Sequence, residues 1–134
     1  MPPRRAYRLA QVVVLLAGLG YTLVGLALLF APVWFFQHIG MYPPYNRHYE
    51  GDLGTAMLPV GVSLLVAATA PRRYLPLLWL GTAISVLHAA NHAVEVVAHG
   101  VSELGTAGSL AVFAVALGLA TAYVSSQPKG DVAA

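Results

Sequence analysis

Five histidines and, of the five acidic residues, the four that precede the C-terminal tail are the side chains in this 134-residue chain placed to hold an ion or move a proton near neutrality. They are His38, His48, His88, His92 and His99, with Glu50, Asp52, Glu95 and Glu103. The chain has no cysteine, so disulfides, thiolate nucleophiles, zinc ribbons and iron–sulfur clusters are excluded, and any metal must be held by nitrogen and oxygen. At 100° per residue, His88, His92, Glu95 and His99 fall within an arc of about 60° and form one stripe, with Asn91 about 60° to one side of His88. A second stripe, His48, Asp52 and Thr55, follows the same i, i+4, i+7 spacing, while Glu50 points roughly the other way.

The elements that position these stripes follow from composition. Hydrophobic residues make up 58% of the chain and charged residues 9%, with mean hydropathy +0.71. A soluble domain carries about 25% charged residues, so this chain belongs in a lipid bilayer. The net charge of +2 comes from scattered basic residues rather than a stripe, which argues against nucleic acid as a partner. Four charge-free stretches are long enough, at about 1.5 Å per residue, to cross a hydrocarbon core. Asn46 is an N-cap for the second, so the expected spans are 9–31, 47–70, 75–98 and 104–124.

The spans predict an all-α, four-helix transmembrane bundle, up-down-up-down, forming one domain over residues 1–124 and followed by a polar cytoplasmic tail, 125–134. The first apolar stretch is longer than the core of a signal peptide and reads as a retained helix. Arg4, Arg5, Arg8, Arg72, Arg73 and Lys129 gather at one end, which the positive-inside rule assigns to the cytoplasm, so both termini are expected inside. Gly18, Gly20, Gly25, Gly54, Gly61, Gly108 and Gly118 are expected to let the helices approach closely.

In that topology every histidine lies in the outer half. Counting from the inner boundary, Asp52 and His92 are nearly level at about 26 Å, with His88 about 6 Å deeper. An antiparallel pair of helices is therefore expected to set His48 and Asp52 opposite His92 and Glu95, with His88 as the floor. Pro59 frees the carbonyl of Thr55 on the same stripe, or simply bends its helix. Residues 32–45, with Trp34, Phe35, Phe36, His38, Tyr42 and Tyr45, read as an aromatic belt at the outer interface, or as a lid from which His38 reaches back to the cluster.

Tyr45-Asn46-x-His48-x-x-x-Asp52-x-Gly54, followed by His88-x-x-x-His92, resembles a family of small four-helix bacterial integral membrane proteins of unknown function. The resemblance covers residues 45–98. It implies emphasis on His48, Asp52, His88 and His92 and supplies no activity. Many members have Arg before the Asp, where this chain has Gly51.

Three functions follow from these residues. The first is a transition-metal site for Zn, Fe, Cu or Mn, with His48, Asp52, His88, His92 and Glu95 as ligands. Asp52, Glu95 and His48 would then supply any catalytic acid–base work, supported by Asn91, Thr55 and His38. The second is a cofactor-free acid–base enzyme, an isomerase or cyclase acting on an apolar lipid or isoprenoid molecule. The third is a non-catalytic accessory subunit of a homo-oligomer or larger membrane complex, its acids and histidines satisfying one another. Haem is disfavoured because no facing pair of histidines is level. Six arginines to one lysine, with abundant Ala, Val, Gly and Leu, point to a GC-rich bacterial genome and so to the bacterial cytoplasmic (inner) membrane.

Overall fold

A computed structural model describes residues 4–40, 43–99 and 104–128, without the side chains of Arg4, His99 and Leu104. Tyr42, Glu103, Lys129 and residues 129–134 of the expected tail lie outside the described residues, as does the side chain of His99. Four long helices carry the fold: α1 (Arg4–Phe30), α3 (Arg47–Thr69), α4 (Leu75–His99) and α5 (Leu104–Ser126). Each is long and apolar enough to cross a membrane. A short helix, α2 (Pro32–Phe35), continues into a π turn over Phe36–Gly40 between α1 and α3. Its first residue is Pro32, whose fixed φ suits the start of a helix, and Phe35 anchors the segment in the core.

The helix boundaries differ modestly from the charge-free windows. α1 begins at Arg4, because arginines are good helix formers and a window that stops at the first charge truncates the outermost turns. α5 runs on to Ser126, so the first residues of the expected polar tail are helical. Asn46 caps α3 as expected: its Oδ1 accepts from the backbone N–H of His48 at 3.0 Å and of Tyr49 at 3.2 Å.

The tightest seam joins α1 and α3, which run antiparallel. A methyl placed on Gly25 would lie 2.7 Å from the backbone nitrogen of Leu58, and one on Gly61 would strike the backbone and side chain of Thr22. Only hydrogen fits there, and the close approach of the two backbones supplies the dispersion contact that holds helices together in lipid. Gly20 and Gly108 face open space instead, so they do not serve close approach within the chain.

The remaining seams use hydroxyl groups. Tyr21 on α1 hydrogen-bonds Ser85 on α4 at 2.9 Å, and Thr82 on α4 meets Thr121 on α5 at 2.9 Å. Ser85 in turn donates to the Gly81 carbonyl at 2.8 Å. Tyr21 also lies edge-on to Phe113 of α5, ring centres 5.8 Å apart. Helices α3 and α4 are joined by a tight turn in which the N–H of Arg73 donates to the Ala70 carbonyl at 2.9 Å.

Two arginines complete the C-terminal ends of helices, where carbonyls have no partner of their own. Arg72 Nη1 donates to the carbonyls of Val124 and Ser125 at the end of α5, at 2.9 and 2.8 Å. Arg47 Nη2 donates to the Leu29 carbonyl at the end of α1, at 3.3 Å. The core between these ends is built from Val14, Leu28, Leu64, Leu78, Leu117 and Val124, all fully buried. Outside it, Leu87, Val97, Val112 and Leu119 are two-thirds or more exposed, a surface that only lipid solvates well.

Candidate functional site

At the end of the bundle opposite Arg72 and Arg73, α4 carries His88 and His92 one turn apart. Their ring centres are 5.1 Å apart and their planes are inclined by 38°. Both residues are half-buried. His92 Nδ1 is itself fully buried, and no hydrogen-bond partner reaches it. In an apolar interior an unpaired ring nitrogen is costly, and such groups are uncommon in native structures. Glu95, one turn beyond His92, is half-buried as well, and Asn91 is exposed.

On α3 the acids are distributed differently from the expectation. His48 Nε2 and Asp52 Oδ2 lie 3.5 Å apart, but their side chains are 89% and 70% exposed. Thr55 is exposed, and its hydroxyl donates to the Asp52 carbonyl at 2.8 Å. The buried acid is Glu50, 7% exposed, on the line Glu50, Gly54, Met57, Gly61 and Leu64 that α3 turns into the bundle. Among the described residues no side chain pairs with its carboxylate. The two sequence stripes thus differ in burial: the histidines of α4 are half-buried, while His48 and Asp52 are exposed on α3.

Glu50 points away from the His48–Asp52–Thr55 stripe, as the spacing predicts, and it is the Glu50 side of α3 that is buried. The signal for it was present, since Glu50 shares its helical face with Gly54 and Gly61, the residues that let α3 approach a neighbour. Of the two readings of residues 32–45, the position of His38 differs from the lid. Its ring stacks on Trp34 with centres 5.2 Å apart, its Nδ1 is 2.8 Å from the Trp34 carbonyl, and it is exposed rather than reaching the other histidines. Pro59 lies inside α3 and is exposed.

Among the described residues, no three His, Asp or Glu side chains gather around one point that an ion could occupy. Two apolar grooves open along the bundle, one between α1 and α5 past Leu16 and Phe113, the other between α4 and α5 past Val86 and Val115. None of the candidate site residues lines either groove.

Four membrane-length helices with a histidine pair facing inward at one end define a small polytopic helical membrane protein. The chain belongs to a family of unknown function, DUF6632, whose model matches residues 4–132. Comparison with curated proteins and with solved structures finds no match.

Proposed function

We propose that this protein binds a transition-metal ion at its histidine end, with His88 and His92 as the first two ligands. The observation that carries the reading is the spacing of the two rings. An ion about 2.0–2.1 Å from one nitrogen of each ring, bound at a tetrahedral angle, sets the ring centres about 5 Å apart. The observed 5.1 Å matches that separation. The buried, unpartnered Nδ1 of His92 adds support, because an imidazole nitrogen facing an apolar interior gains most from a ligand or an ion. Ionisable groups within membrane helices are costly and, in general, mark functional sites.

Carboxylate ligands complete such sites, and zinc, iron, copper and manganese all accept mixed imidazole and carboxylate shells. With the arginine-rich end toward the cytoplasm, the site opens at the outer leaflet of the bacterial inner membrane. A site that keeps one position open would activate water or bind a redox substrate there.

Elemental analysis of detergent-purified protein in metal-free buffer tests the reading. Near-stoichiometric Zn, Fe, Cu or Mn in the wild type, lost in the His88→Ala/His92→Ala double variant, is the expected result. No metal in either protein, or equal metal in both, would sink the proposal and leave the acid–base enzyme and the accessory subunit as the alternatives.

A further inference from the structure

Met57 is the one methionine among the described residues, and it is buried on α3, 8% exposed. Its thioether is a soft donor, a class of ligand that a census of histidines and acids passes over. One contact relates it to the histidines: a methyl placed on Gly81 of α4 would lie 2.7 Å from Leu64 Cδ2 of α3. Met57 stands seven residues outward from Leu64, and His88 stands seven residues outward from Gly81. Seven residues make two turns less about 20° and rise about 10 Å, the heptad interval at which paired helices keep the same faces together. Met57 and His88 are therefore level, each on the continuation of the one contact, and His92 lies a turn further out on α4.

The faces of α3 agree with that assignment. At 100° per residue Met57 lies about 20° from Leu64. The residues by which α3 seats against α1 lie further round: Gly61 and Gly54 at about 40° and 60°, Leu65 and Leu58 at about 80° and 100°. Met57 thus belongs to the side of α3 that carries the α4 contact.

These donors favour one kind of ion. Two neutral imidazoles and a thioether carry no charge, so they offset none of the charge of what they bind. The cost of bringing an ion into an apolar interior rises with the square of its charge, about fourfold more for a dication than for a monocation. A thioether is itself at home in that interior, where it fills space as a flexible apolar side chain. The buried, unpartnered Nδ1 of His92 supplies a lone pair there. Thioether and imidazole donors together suit Cu(I), the soft monocation among the candidate metals. We propose that Met57 is the third ligand of the His88–His92 site and that the ion it selects is Cu(I). This rests on the metal reading above and narrows its four metals to one.

The test compares two ions in one variant. Met57→Leu conserves volume in the core, so the fold is expected to hold. Anaerobic titration of the full-length protein in detergent should show Cu(I) binding weakened about tenfold or more in Met57→Leu, with Zn²⁺ binding unchanged. Selenomethionine replaces all three methionines, and X-ray absorption at the selenium edge should then show a copper neighbour in the Cu(I)-loaded protein that is absent from Met57→Leu. Cu(I) binding unchanged in Met57→Leu but lost in His88→Ala/His92→Ala would overturn the role of Met57 and leave the metal reading standing. Equal loss of Cu(I) and Zn²⁺ in Met57→Leu, or no copper neighbour of selenium, would mark Met57 as packing alone and overturn the proposal. A wild-type protein that binds neither ion would overturn the metal reading, and the ligand role with it.

Discussion

The two seams that α3 makes with its neighbours in the bundle are built on opposite principles. Against α1 it closes backbone to backbone, with Gly25 and Gly61 at points where even a methyl group would strike the other helix. Against α4 it meets a side chain rather than a backbone, Leu64 on Gly81, near the turn that joins the two helices. Beyond that contact the α4 side carries His88 and His92. Close glycine packing fixes a seam in one arrangement, whereas a seam with a side-chain contact near its turn leaves the outer end freer to move. The rigid seam positions α3, and the looser one lies beside the histidine pair of the proposed site.

The contrast is broken most severely by filling the closed seam. Gly61→Val would place a branched side chain against the backbone of Thr22, and the helices would have to separate. Destabilisation of about 3 kcal/mol is expected, at the upper end for overpacked sites, read from reversible unfolding in mixed micelles. A wild-type unfolding curve would show that the two backbones are not in contact there.

A smaller change sharpens the comparison on the other side. Gly81→Ala meets only the end of the Leu64 side chain, which can change rotamer, so its cost should be about 1 kcal/mol in the same assay. If Gly81→Ala cost as much as Gly61→Val, the α3–α4 seam would be as rigid as the α1–α3 seam, and closure of its outer end would be ruled out.

The sequence carried much of this architecture in plain view. Charge-free length identified the four membrane-length helices, and Asn46 marked the start of α3. The i, i+4 spacing put His88 and His92 on one face of α4, and that face turns inward. What spacing alone did not resolve is which face of α3 is buried. His48, Asp52 and Thr55 share a stripe as regular as that of Glu50, Gly54, Met57 and Gly61, and in a chain that is apolar almost all round the helix, polarity does not separate core from lipid. Small residues do, because backbones approach one another only where glycine allows it. Had Gly54 and Gly61 been used to orient α3, Glu50 would have emerged as the inward acid. For His38, where belt and lid were both open, the deciding contact is local: one turn from Trp34, its ring stacks there.

The central claim is that His88 and His92 hold a metal ion beside the outer end of the α3–α4 seam and that the bound ion orders that end. Spin labels at two exposed positions on those ends, Tyr49→Cys on α3 and Val94→Cys on α4, report the separation by pulsed electron resonance. The account predicts a shorter and narrower distance distribution on adding Zn²⁺, and no change when His88→Ala/His92→Ala is introduced into the same labelled chain. A distribution that Zn²⁺ leaves unaltered in the chain with both histidines would contradict it.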